Sequence, residues 1–318
     1  MASETVETPK EPPPRAAASG GRRGAWYPRW YWPSFTIPGL IWLVVFFVLP
    51  FYVVLSVAFG TVDPLFRLPI PVYQPWWWSF DTFTDTVGRF YEGNRIYLDP
   101  LLRTLVYVAV ASFICLVLGY AVAYYTARHA GKWRGLVLIL LISPLWISYL
   151  MRVYAWQSLL QPDGYINDAL GIFGIAPITW LAGNPVTVIL GLVYGYIPFM
   201  ILPLFGFLDR IPQSVLEAGR DLGASPYRTF RRITLPMSKP GILAGLVIMS
   251  LPMFGDYYTN DLLGTERTSM YGNLVDLAVG TAGQGPEAGA LVLILIGLVL
   301  VPMLYYLRAT RRASEGAA

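Results

Sequence analysis

Charge is scarce in this sequence. Lysine, arginine, aspartate and glutamate make up 13% of its 318 residues, about half the usual share of a soluble chain, so much of the surface must face something other than water. Cysteine occurs once, as Cys115, which excludes an intrachain disulfide framework. It lies inside an apolar run and reads as a small core residue. Histidine also occurs once, as His129 in a charged loop, where a solvated headgroup neighbour fits better than a proton relay. No His, Cys or carboxylate cluster has metal-ligand spacing, no Gly-rich phosphate loop occurs, and no catalytic constellation assembles. A membrane enzyme is therefore set aside.

What is abundant is hydrocarbon, and it comes in long runs. About 20 apolar residues cross a bilayer as a helix, and six runs qualify: about 37–59, 104–127, 135–156, 186–208, 241–260 and 288–307. The first is too long and too far from the start to be a cleavable signal. Proline punctuates the runs at Pro50, Pro144, Pro198, Pro203 and Pro252, each removing a backbone donor and loosening its helix. These kinks serve either packing or a moving pathway.

The basic residues set the orientation. They gather in the N-terminal tail, in 128–134, in 209–240 and in the C-terminal tail, whereas 157–185 has none and 261–287 only Arg267. Both termini are then expected on the cytoplasmic side. The net charge of +4 follows from this bias beside anionic headgroups and does not call for nucleic acid. Residues 1–25, rich in proline, glycine and small side chains, are expected to be disordered, with residues 26–318 forming the membrane domain. Trp26, Tyr27, Trp30, Tyr31 and Trp32 read as an interfacial anchor. Trp76, Trp77 and Trp78 either repeat that role outside or line a docking surface.

One inner segment breaks the rule of scarce charge. Residues 217–241, EAGRDLGASPYRTFRRITLPMSKPG, carry seven ionised side chains. Val215, Ala218, Gly219 and Leu222 recur at helical spacing and put one small-apolar face on a short helix, with Glu217, Arg220 and Asp221 on other sides. Gly223 suits a left-handed cap, and Ser225-Pro226 a helix start. Pro236 and Pro240 are expected to close that second helix. An amphipathic basic loop lying on headgroups explains the arginines. It does not explain small residues presented beside an outward Glu217, a surface suited to helix-in-groove docking.

Glu217-Ala218-Gly219, three residues, Gly223, nine residues, then Ile233-Thr234-Leu235-Pro236 resembles the EAA loop of ABC importer permeases. The departure is Gly219 where alanine is usual, which costs a helix about 1 kcal/mol. LLRTLVYVAVASFICLVLGYAVAYYTAR, SPLWISYLMRVYAWQSLL, YGYIPFMILPLF and PMFGDYYTNDLLGTERTSMYGNL are similar to the first permease subunit of the spermidine/putrescine branch. The resemblance implies an all-α, six-helix permease of the type I importer class in the bacterial inner membrane, with 209–240 as its coupling loop. It implies a second homologous permease, two ATPase subunits that bind ATP and Mg, and an extracytoplasmic binding protein. Its coupling residues would be Glu217, Ala218, Gly219, Gly223, Ile233, Leu235 and Pro236. Its solute would be a polyamine, with an amino-acid-like compound as the alternative. A stand-alone channel or secondary transporter would show internal repeats or midplane ionisable networks.

Two charges lie inside the runs, Arg152 and Asp256, both toward the outer ends. Arg152 snorkels to outer headgroups or pairs with Asp256. Asp256 makes a helix-end contact, stays protonated, or lines the pathway with Tyr257 and Tyr258. An acid among aromatic faces suits an ammonium group. Tyr154 and Trp156 beside Arg152 complete the pathway candidates.

Overall fold

The computed structural model describes residues 34–92 and 95–315, with side chains to residue 308. The expected disordered tail and the anchor from Trp26 to Trp32 lie outside the described residues. The chain divides into two units, one ending at Tyr52 and the other running from Val53. The described part of the first is the opening of a helix, α1 (Ile37–Ala58), which widens through a π-turn at Val44–Val48.

The second unit continues with a short antiparallel hairpin, β1 (Thr61–Val62) and β2 (Pro69–Ile70), with Thr61 opposite Ile70. Asp63 closes its tip by accepting from the N–H groups of Leu65 (2.7 Å) and Phe66 (2.8 Å). Trp78 donates its indole N–H to Val72 O at 2.8 Å and stacks on Phe59, while Trp76 and Trp77 stand exposed. Then come α2 (Asp81–Arg89), α3 (Leu98–Arg128), α4 (Arg134–Ile142), α5 (Tyr149–Leu159), α6 (Tyr165–Ile172) and α7 (Pro185–Asp209). The inner loop holds α8 (Gln213–Asp221). Beyond it lie α9 (Pro226–Phe254), α10 (Tyr258–Leu263), α11 (Tyr271–Gly280) and α12 (Gly285–Glu315).

The core sits where α7 packs between α3 and α9. Val108, Ala111 and Cys115 from α3 meet Leu192, Met200, Ile201 and Leu204 from α7 and Met249 and Met253 from α9, all buried. Cys115 is thus a core residue, its thiol 3.7 Å from Val193 O. α7 begins on Asn184, whose side chain accepts from Val186 N at 3.0 Å, with Pro185 at the first helical position where no donor is needed. Its far end is satisfied by Arg128, which donates from Nη2 to Leu208 O (2.7 Å) and Ile211 O (3.0 Å). A cation on the last carbonyls also meets the negative end of the helix dipole. Arg89 donates to Glu287 Oε1 (3.0 Å) and Tyr97 Oη (3.1 Å), and the Tyr97 hydroxyl bonds Glu287. Burial, together with Glu287, holds the Tyr97 hydroxyl above its ordinary pKa.

Among the described residues, five helices are long and apolar enough to cross a membrane, six if one bent pair counts as a span. That pair covers the third run expected at 135–156, with the kink marked at Pro144 opened into a sharp bend. The segments Gly131–Trp146 and Tyr149–Leu159 meet at 90°. Pro144 sits in a 3₁₀ turn at Ser143–Trp146, and Ile147 and Ser148 are extended (ψ 135° and 137°), so the chain changes direction where the proline has no donor to give. The fifth run also differs. It starts at Pro226 and ends at Phe254, not at 241 and 260. Pro236 and Pro240 do not close a short helix, because a π-turn at Phe230–Thr234 precedes them and Leu235 N bonds Phe230 O. The widened turn makes room for a proline ring that would otherwise strike the carbonyl four residues back. Pro198 and Pro203 are likewise accommodated inside α7.

Candidate functional site

The inner loop is built from local chemistry. α8 ends at Leu222, and Gly223 turns the chain with φ +78°, its N–H bonding Arg220 O at 2.8 Å while Ala224 N reaches Gly219 O at 3.1 Å. These are the backbone bonds of a left-handed helix end. Ser225 then caps the next helix by accepting from Arg228 N at 3.3 Å, with Pro226 following it.

The face of α8 departs from expectation at Gly219, which turns inward. Its buried stripe is Leu216 and Gly219, whereas Val215, Ala218 and Leu222 point outward, Leu222 being 90% exposed. Leu216 joins the main core. Gly219 lies so close to Ile233 that an added Cβ would sit 2.7 Å from Ile233 Cδ1. An alanine methyl there would have to displace only the end of the Ile233 side chain, its other neighbours being at 3.9 Å, so Gly219 marks the close approach of α8 to the start of α9. Ile233 and Leu235 are half-buried under the loop and Pro236 is exposed. Glu217 is exposed beside Val215 and Ala218. Among the described residues it takes part in neither ion pair, these being Arg89–Glu287 and Arg134–Asp209. The loop thus exposes an acid on one side of α8 and apolar Val215, Ala218 and Leu222 on another, with Arg228, Arg231 and Arg232 exposed along the next helix.

On the far side of the helices Asp256 is buried, 5% exposed. It does not pair with Arg152. Its Oδ2 accepts from the hydroxyls of Tyr149 (2.6 Å), Thr259 (2.6 Å) and Tyr196 (3.1 Å), and its Oδ1 from Thr259 N (3.1 Å). Tyr149 and Thr259 also bond each other. The carboxylate thereby ties the first residue of α5, the middle of α7 and the first turn of α10. Tyr257 and Tyr258 are not part of this cluster; their rings pair with each other 4.0 Å apart at the surface.

Arg152 does not snorkel. It is 8% exposed, its guanidinium 5.4 Å from the Tyr149 ring centre and 6.0 Å from that of Tyr194, and Nε and Nη1 have no hydrogen-bond partner among the described residues. Trp156 meets Tyr194 edge to face at 5.4 Å, and Tyr154 faces outward. Sequence reasoning missed Tyr149, Tyr196 and Thr259. The one available signal was Thr259, three residues after Asp256 at the start of a helix, where an aspartate caps. His129 is exposed and stacks on Tyr125 at 5.9 Å, away from both sites.

Residues 87–313 match the family described as binding-protein-dependent transport system inner membrane component. The chain belongs to that family. This permease is 34% identical over 272 residues to the spermidine/putrescine transport system permease protein PotB of Escherichia coli (strain K12), covering 85% of this chain and 94% of that one. The PotB protein of Haemophilus influenzae is 33% identical, covering 85% and 91%. The inner membrane ABC transporter permease protein YdcU of Escherichia coli (strain K12) is 33% identical, covering 68% and 72%. In fold the permease is similar to a bacterial ABC transporter involved in import of the acidic polysaccharide alginate (TM-score 0.69, 20% identity, 89% and 96% covered). A second crystal structure, of an alginate transporter in complex with an alginate pentasaccharide-bound periplasmic protein, gives 0.70 at 18% identity, with 89% and 95% covered. The fold is that of type I ABC importer permeases, and this is a multi-pass inner-membrane permease.

Proposed function

We propose that this permease forms half of the translocation pathway of a polyamine importer. A second homologous permease supplies the other half, two ATPase subunits holding ATP and Mg dock below, and a binding protein delivers the solute from outside. The substrate class rests on the 34% identity to a spermidine/putrescine permease across 85% of the chain. The coupling role rests on the loop: Glu217 stands exposed on the same helix as exposed Val215, Ala218 and Leu222, and Gly219 turns inward against Ile233. An exposed acid flanked by an apolar face fits a groove carrying a basic partner. Gly223 sets the angle at which α8 leaves α9. Residues 1–25 and both termini lie on the cytoplasmic side in this reading.

The test is co-purification of the tagged chain with its genomically neighbouring ATPase, joined to spermidine uptake by the reconstituted complex. Glu217→Ala is expected to lose the ATPase while keeping the second permease, and to lose uptake with it. Full retention of ATPase and uptake would overturn the coupling role. Import of an amino-acid-like compound in place of spermidine would overturn the polyamine assignment.

A further inference from the structure

Leaving buried guanidinium nitrogens without an acceptor is costly. Arg152 has two such nitrogens, Nε and Nη1, among the described residues, and Asp256, one tyrosine ring away, is a buried carboxylate held only by neutral donors. Opposite charges at that spacing attract strongly in a poorly screened interior. What separates them is Tyr149, whose hydroxyl occupies Asp256 while its ring face carries Arg152. Tyr149 and Arg152 belong to one helix, α5, and α5 starts at the 90° break after extended Ser148. A swing of α5 about that break moves both side chains together relative to Asp256, which sits at the end of α9.

Resting on the polyamine reading above, we propose that Asp256 is an ammonium subsite of the pathway and that Arg152 is its tethered competitor. With α5 swung away, the Tyr149 hydroxyl leaves the carboxylate and a substrate ammonium takes its place, bordered by the Tyr196 ring. When α5 returns, Tyr149 restores its hydrogen bond and brings a fixed positive charge to the subsite, so the ammonium is expelled. Arg152 is then a residue of release: it weakens retention of the cation in this state and so keeps the pathway from trapping its cargo. This accounts for a cation that has no ion-pair partner among the described residues in the wall of a carrier of cations.

The experiment measures equilibrium binding of radiolabelled spermidine to the complex of both permeases and the ATPase, without binding protein, and uptake by the complete system in proteoliposomes. Arg152→Gln is expected to bind spermidine about tenfold more tightly and to import it more slowly, and Arg152→Lys to restore weak binding. Asp256→Asn is expected to lose binding, and the double variant Arg152→Gln/Asp256→Asn to bind as poorly as Asp256→Asn alone. Unchanged or weaker binding by an assembled Arg152→Gln complex overturns the proposal. So does tighter binding that persists in the double variant, because the effect would then bypass Asp256. A wild-type complex that imports another solute and neither binds nor imports spermidine overturns the polyamine reading and this inference with it. Wild-type binding and import with no response to Arg152→Gln overturns the inference alone.

Discussion

Gly223 offers a test in which backbone and side-chain effects separate. The residue has φ +78°, and a Cβ built there meets no atom within 4 Å. A substitution therefore meets no clash within the chain, and its cost is conformational: about 1–2 kcal/mol for an L-residue held in the left-handed region. Asparagine tolerates that region better than alanine, and a β-branched residue worse. Stiffening the unfolded chain by Gly→Ala gives back about 0.4–1 kcal/mol of folding stability, but that gain does not act on docking between folded partners. If α8 must leave Gly223 at this angle to seat in the ATPase, the strain appears as a smaller docking-competent fraction. For alanine this amounts to an affinity loss of up to about 5- to 30-fold.

The assay is titration of the purified permease pair with the ATPase, read by surface-immobilised binding. The expected order is wild type, then Gly223→Asn, then Gly223→Ala, then Gly223→Val, with assembly of the two permeases unaffected. An alanine variant that binds as tightly as wild type would show that the docked loop does not keep the left-handed turn. An asparagine variant as weak as valine would mean that contact with the partner, not backbone strain, sets the effect. Either result refutes the reasoning from φ.

Arg128→Gln is expected to leave Leu208 O and Ile211 O short of their charged donor, costing about 1–3 kcal/mol, seen as a lower unfolding temperature in detergent with membrane insertion retained. Asp261, beyond the end of α9, has its carboxyl held above the ordinary aspartate value, chiefly by burial and partly opposed by the hydrogen bond from Asn273. A folded pKa above the unfolded one favours the native state below the unfolded value, and that advantage fades as pH rises through the folded value. Asp261→Asn is accordingly expected to be more stable than wild type at pH 7 and to match it more closely near pH 4, measured as unfolding temperature against pH.

The turn of the inner loop was legible because its causes are local. Gly223 and Ser225-Pro226 each act on their own backbone, and the structure has them where their chemistry points. The face of α8 was not legible. Two stripes compete on that helix, Val215–Ala218–Leu222 and Leu216–Gly219, and both satisfy helical spacing. The choice is made by Ile233 and by the main core, neither of which belongs to α8. The six apolar runs announced the membrane helices and Pro144 was marked as a kink, but length and hydropathy say nothing of a bend's size, so its 90° passed unseen. Proline itself gave opposite outcomes: Pro144 sits at a break, while Pro236 and Pro240 lie inside a helix whose preceding π-turn makes the room. Arg152 and Asp256 were found as charges in hydrocarbon, yet their pairing was misjudged. The partners of Asp256 include Tyr149 and Tyr196, 107 and 60 residues away in sequence, and no periodicity reports such distances.

One element joins the two sites. α9 runs unbroken from Pro226, just after the turn at Gly223, to Phe254, two residues before Asp256. At 1.5 Å per residue its 29 residues span about 43 Å. Its middle is held where Gly241 and Gly245 lie against Phe207 and Met200 of α7, which makes it a lever with a packed fulcrum. Its compliance lies toward the two ends. The π-turn at Phe230–Thr234 stands one turn above the inner loop, and Pro252 one turn below Asp256, where it leaves the carbonyl of Ile248 without its helical donor. In the importer proposed above, a displacement delivered by the ATPase at α8 reaches Asp256 through this helix. With Gly241 and Gly245 packed against α7, the motion expected in that reading is a tilt about this contact. A tilt at that end changes the distance between Asp256 and the hydroxyl of Tyr149, because Tyr149 is carried by α5 beyond its own break. The bond between Asp256 and Tyr149 is therefore where motion from the inner loop first becomes a change in chemistry.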